Sequence, residues 1–186
     1  MRDRPTDPRR LNVPAFARDA RTLEGEWALT SFARLSTSLL PSPKDAGRVA
    51  TWQAIGSEHA VPGAAVQPRL HLMARLEVSM QCQRCLQPMT GLLQIERRFR
   101  FAADEAEALK LDEETDDDVL VSSRDFDLHE LLEDELILAL PIVPRHQSCP
   151  EPLQVPGSAD PTAAAGEGRP NPFAVLARLK DGGNPN

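Results

Sequence analysis

The chain has no tyrosine and only 4% aromatic residues. That leaves few flat rings on which bases could stack and disfavours an RRM-like reader of single-stranded RNA. It also has no run approaching the eighteen or so apolar residues of a membrane-spanning helix. Met1 to Arg10 is charged and proline-bearing with no apolar stretch behind it, unlike an export signal. Three cysteines are an odd number and a poor disulfide framework, so the thiols are expected in a reducing cytosol. There is no P-loop, no G-x-G-x-x-G and no G-x-S-x-G. The four histidines, His59, His71, His129 and His146, stand at no spacing that pairs them with a nucleophile or a ligating carboxylate. These absences move the weight from catalysis toward binding.

The three cysteines fall in two short patches, Cys82-Gln83-Arg84-Cys85 and His146-Gln147-Ser148-Cys149. Each has the two-residue spacing with which a tight turn aims two ligands at one ion. Three thiolates and an imidazole suit tetrahedral zinc, and four protein ligands would close its shell, which makes such a site structural and not catalytic. Small buried thiols with a polar loop histidine are the competing reading. A redox role for Cys82 and Cys85 would need the C-x-x-C at the start of a helix that follows a strand. Here Pro88 follows, and then another strand pattern.

Charge is unevenly placed along the 186 residues, whose net charge is -7. Residues 1–100 carry fifteen Lys and Arg against nine Asp and Glu, whereas residues 104–118 carry one Lys against nine acids. Two surfaces of opposite sign are therefore expected, one able to hold RNA phosphate and one a basic protein. Arg84, Arg97, Arg98 and Arg100 are the candidate RNA contacts. Asp116, Asp117 and Asp118 are the candidate partner contacts.

The alternation of Leu70, Leu72, Ala74, Leu76, Val78 and Met80 with polar or smaller residues predicts a strand over 70–80, and Leu93, Ile95, Phe99 and Phe101 predict another over 92–101. The C-x-x-C then lies in the hairpin connection, with Pro88 and Gly91 as turn residues. Weaker strand patterns cover 26–35 and 48–55, and Val13 to Arg21 suggests a short helix capped by Asn12. The clearest helix starts at Asp127 as N-cap with Glu130 placed for a capping box, and Pro141 ends it. Its apolar stripe is Leu128, Leu131, Leu132, Leu136, Ala139 and Leu140, with Glu130, Glu133 and Asp134 facing water. The expected organisation is an α+β core over 1–149 with an acidic loop at 102–120, a flexible linker over 150–170 and a short helix over 171–181. The core should be an antiparallel sheet, open or curled into a partial barrel, covered by one main helix. The tail helix, with Phe173 and Leu176, is too short to stand alone in water and expects a surface to dock on.

Taken in order, Cys82-Gln83-Arg84-Cys85-Leu86-Gln87-Pro88, the acidic stretch, the 127–141 helix with His146 and Cys149, and Asn171-Pro172-Phe173-Ala174-Val175-Leu176-Ala177-Arg178-Leu179-Lys180 resemble the YceD family, the large ribosomal RNA subunit accumulation proteins. The resemblance covers roughly residues 80–180. It implies a cytoplasmic bacterial protein needed for accumulation of large-subunit ribosomal RNA, with no known catalytic residues. It also makes a small basic protein of the large ribosomal subunit a natural partner. The competing class is an enzyme acting on precursor RNA, or a thiol redox protein using Cys82 and Cys85. Some relatives carry further cysteines after the helix, where this chain has only Cys149.

Overall fold

Alternating apolar residues in long runs dominate the architecture of the computed structural model, which describes residues 6–60 and 66–150. A five-stranded open sheet runs in the order β1 Thr22–Ala28, β2 Val49–His59, β3 Gln67–Gln81, β4 Pro88–Ala102 and β5 Asp118–Val121. Each neighbouring pair is antiparallel except β4 with β5, which is parallel. The sheet is open and does not close on itself.

One face of the sheet is the core. Ala50, Trp52 and Ala54 of β2, Leu70, Leu72, Ala74, Leu76 and Val78 of β3, and Leu93, Ile95, Phe99 and Phe101 of β4 are all buried. Onto them pack Val13 and Phe16 of α1 (Val13–Arg18), Leu35 of α2 (Ala33–Thr37), and Leu128, Leu132 and Leu136 of α4 (Leu128–Leu138). Asn12 caps α1 through Ala15 N–H, as expected. Asp127 caps α4, accepting from both His129 and Glu130 N–H. A backbone exchange between Leu11 and Phe126, at 2.8 and 3.0 Å, ties the start of the chain to the entrance of α4.

Four local expectations are corrected. The acidic stretch at 102–120 is not a loop: it holds α3 (Glu105–Asp112), capped by Asp104 through Glu107 N–H, and β5. Leu111 buries itself and β5 finds an edge on β4, so charge density alone did not keep the segment from ordering. The strand expected over 26–35 is displaced to Thr22–Ala28, and Leu29–Ser31 and Ala33–Thr37 coil helically because Leu29, Phe32 and Leu35 must all turn inward. Gly91 is a strand residue opposite Val78 and not a turn residue, and the Met80 side chain fills the space that a β-carbon there would take.

The fourth correction is Glu133, expected to face water and found buried. Phe32, the residue preceding α2, has no side-chain acceptor to offer the free amides of that helix. Glu133 supplies it from α4: Oε1 accepts from Arg34 N–H at 2.7 Å and Leu35 N–H at 3.1 Å, while Oε2 takes the Arg34 guanidinium. Burial pushes this carboxyl up, but the two amides and Arg34 outweigh it and hold it below its ordinary range.

Candidate metal centre

The long β3–β4 hairpin is closed by a turn that begins directly after Gln81. Cys82 N–H donates to Gln87 C=O at 3.0 Å and Leu86 N–H returns to Cys82 C=O at 2.8 Å. Leu86 takes a left-handed φ of 61° to make this turn. That conformation costs a branched residue on the order of 1–3 kcal/mol, and the ring it closes points Cys82 and Cys85 to the same side.

The second pair arrives from the segment after α4. Pro141 ends the helical run, and Gln83 N–H holds the chain beyond it by donating to Pro144 C=O at 2.8 Å. His146 N–H then donates to Cys82 Sγ at 3.4 Å. The ligand atoms of Cys82, Cys85, His146 and Cys149 all lie within 4.8 Å of one another. Cys82 Sγ is 3.8 Å from Cys149 Sγ, and Cys85 Sγ is 3.3 Å from His146 Nδ1. Donors at the usual zinc distances in a tetrahedron stand roughly 3.5–3.8 Å apart, so the set fits that ion's size, shape and preference for sulfur. These four residues could hold a metal ion such as zinc.

The electrostatics suit a cation. Burial pushes the Cys82 thiol up, yet amide N–H groups of His146, Cys85 and Arg84 outweigh it and bring it down to about 5. Burial keeps the Cys85 thiol above its ordinary value despite the Gln87 amide, with Cys149 and Cys82 adding to the rise. Several thiolates cannot crowd together without a positive charge among them. Arg84 lies against the cluster, its Nε donating to Cys149 Sγ at 3.0 Å.

The other candidate residues meet each other. Arg97 sits on the core face of β4, opposite Leu72, and reaches Glu135 of α4 at 2.9 Å with Asp118 at 3.9 Å. Arg100 Nε bonds Asp117 at 2.8 Å, and Arg69, its cross-strand partner, approaches the same oxygen at 3.5 Å. Bonding to Arg100 lowers the Asp117 pKa against the opposing effect of burial. The expected pair of charged surfaces is not kept apart beside β5: Arg97 and Arg100 of β4 pair with Asp118 and Asp117 within the molecule. Arg98 projects from the opposite face to Arg97 and is exposed, as is Asp116. Phe173 and Leu176, with the linker and tail helix, lie outside the described residues. Sequence reasoning did not single out Glu135 or Arg69 and set Glu133 on the water-facing side. Glu133 lies four residues after His129 and three before Leu136, spacing that puts it on the inward face of the helix, which was the available sign that it could be buried.

A family model described as large ribosomal RNA subunit accumulation protein YceD matches residues 70–180, more than half of the chain. A large ribosomal RNA subunit accumulation protein YceD from Haemophilus influenzae (strain ATCC 51907 / DSM 11121 / KW20 / Rd) is 37% identical over 109 residues, which cover 57% of this chain and 62% of that protein. The matched region thus spans less than two thirds of that relative's length. No solved structure matches the chain. The match takes in β3 from Leu70 onward, β4, both halves of the Cys/His cluster and α4, and on that basis the chain belongs to the YceD family of large ribosomal RNA subunit accumulation proteins.

Proposed function

We propose that this protein supports the accumulation of large-subunit ribosomal RNA as a non-enzymatic cytoplasmic factor, acting in subunit assembly or precursor processing by binding RNA, a basic ribosomal protein, or both. The observation that carries this reading is the family match over the hairpin, the Cys/His cluster and α4. Two features of the geometry support it. Four protein ligands fill a tetrahedral shell and leave no position for a reacting water, so zinc here would fasten the β3–β4 turn to the segment after α4. No helix among the described residues is long and apolar enough to cross a membrane.

Recognition then works on charges already paired. RNA phosphate reaching Arg100 or Arg69 replaces Asp117, and a basic partner reaching Asp117 replaces the arginines. Arg98 and Asp116 are the exposed members of the two groups. The RNA candidates Arg84, Arg97 and Arg100 are engaged with Cys149, Glu135 and Asp117, which favours the exposed Arg98 over them.

Depletion of the protein in its own host is expected to lower large-subunit ribosomal RNA relative to small-subunit RNA, and the protein is expected to co-sediment with large-subunit precursors. Unchanged RNA ratios with no co-sedimentation would refute the proposal. Cleavage of precursor RNA by the purified protein, lost on substitution of a single carboxylate, would instead establish the enzymatic alternative. The low Cys82 pKa also suits thiol chemistry. Against that, the turn is followed by a strand and lacks the helix N-terminus on which redox C-x-x-C motifs rely.

A further inference from the structure

The thiolates of the cluster do not share the same surroundings. His146 N–H donates to Cys82 Sγ at 3.4 Å, the nearby backbone N–H groups of Arg84 and Cys85 also favour the Cys82 thiolate, and that of Gln87 acts in the same sense on Cys85. Those of Arg84, Cys85 and Gln87 are the donors that a tight turn aims at its own cysteines, whereas that of His146 comes from the other half of the site. Cys149 has His146 in place of the first cysteine, and among the described residues no such turn surrounds it. Among the described residues, its N–H donor is a side chain, Arg84 Nε at 3.0 Å. The same guanidinium spans the gap between the halves of the site, with one NH2 3.2 Å from His146 C=O and 3.5 Å from Gln147 C=O.

Charge makes a second argument. A divalent ion held by three thiolates and one neutral imidazole leaves a net charge of about −1 in a partly buried site. An uncompensated charge of that kind is costly away from water, and one guanidinium at hydrogen-bonding distance cancels it. We propose that Arg84 is a positioning residue of the metal centre: it balances the charge of the occupied site, orients the Cys149 sulfur and clamps the 146–149 segment onto the hairpin turn. It supplies from the first half of the site what a second C-x-x-C turn would supply from its own backbone. The inference rests on the proposed zinc site. It removes Arg84 from the surface available to RNA.

The experiment is a zinc titration of the full-length protein, purified without a histidine tag and stripped of metal, in competition with a chromophoric chelator. Wild type, Arg84→Met and Arg84→Lys are compared. Second-sphere partners commonly govern about 10–100-fold in metal affinity. Arg84→Met is expected to weaken zinc binding by that factor, and Arg84→Lys, which keeps the charge but loses the planar fork, by less. Cobalt in place of zinc reports the coordination geometry, which is expected to be distorted in Arg84→Met and tetrahedral in wild type. Tight, tetrahedral binding in both variants would overturn the role of Arg84 while leaving the metal centre standing. Equal weakening in both would overturn the charge-balancing part. Absence of zinc binding by wild type would overturn the metal centre and this inference with it. If Arg84→Met fails to fold, Arg84→Lys decides: affinity equal to wild type leaves charge balance in place, and weaker binding with distorted cobalt geometry assigns the role to the guanidinium fork.

Discussion

Single side chains in this protein do work that their local sequence does not announce. Glu133 stands on a helix that needs no help from it and caps another helix, α2, that has no cap of its own. Hydrogen bonds to an ionised group contribute about 1.5–3 kcal/mol, so Glu133→Ala is expected to lose about 2–3 kcal/mol in urea denaturation and Glu133→Gln about half of that. The same carboxyl makes stability depend on pH. Its folded-state pKa lies below the ordinary 4.5, so its contribution is complete above that pH and disappears as pH falls through the folded value. His129 acts higher on the scale. It is buried between Trp27 and Phe32 with Ser31 Oγ at 2.9 Å, and burial, aided by the positive charge of Arg9, depresses its pKa below 6.5. Protonating it is unfavourable in the fold, so stability is whole above pH 6.5 and declines as pH drops toward the folded pKa. Acid titration followed by circular dichroism is expected to show two stages. Glu133→Gln should flatten the lower one and His129→Gln the upper one.

At the scale of elements, the helices are held to the sheet by close approaches that leave no room for change. A β-carbon on Gly56 would stand 2.6 Å from the Phe16 ring and 2.7 Å from the Phe16 carbonyl oxygen of α1. Backbone cannot swing aside as a flexible side chain can. Gly56→Ala is expected to cost about 2–3 kcal/mol by overpacking, read as a lower midpoint in thermal melts with faster amide exchange in α1. The short parallel strand β5 depends on charge in place of length. Asp117 at its entrance receives Arg100 and draws Arg69, two arginines that face each other across β3 and β4 and would otherwise repel. Arg69 Nε is buried without a hydrogen-bond partner among the described residues, and burial together with Arg100 depresses its pKa. Asp117→Asn is expected to destabilise the protein by about 1–2 kcal/mol and to loosen residues 113–121 first, measured by hydrogen exchange. The same variant is expected to raise affinity for RNA in proportion to the arginine charge it frees, with a steeper dependence on salt.

For the whole molecule, the Cys/His cluster is a long-range fastening between a hairpin tip and the exit of α4, joining positions more than sixty residues apart. Metal removal by a chelator is expected to lower the melting temperature of wild type and to speed tryptic cleavage after Arg145, which is exposed beside the cluster. Cys85→Ser should begin at the lower temperature and give no further response to chelator. A wild type indifferent to chelation, with its full metal content already removed, would show that hydrogen bonds alone hold the segment. The charge pairing has a molecular consequence as well. Although the chain carries −7 overall, its arginines and aspartates near β5 cancel locally, so steering of a partner depends on how readily those pairs open.

The sequence by itself determined the elements whose pattern repeats and whose signals are local. The period-two runs of β3 and β4, the Asn12 and Asp127 caps and the apolar stripe of α4 each depend only on neighbours in the chain. The spacing Cys82/Cys85 was legible for the same reason, because a tight turn sets the direction of both ligands, and His146/Cys149 was legible as the same spacing although no closed turn holds it among the described residues. Only the tertiary structure decided that these halves meet, since their encounter depends on how α4 lies across the sheet and where Pro144 is caught by Gln83. It also decided the fate of the charges. Composition separates basic and acidic stretches along the chain, but Arg100 and Asp117 become neighbours only when β5 adds to the edge of β4, and Glu133 turns inward only because α2 presents it with two free amides. Coulomb and hydrogen-bond energies are set by distance in space, and distance along the chain does not report it.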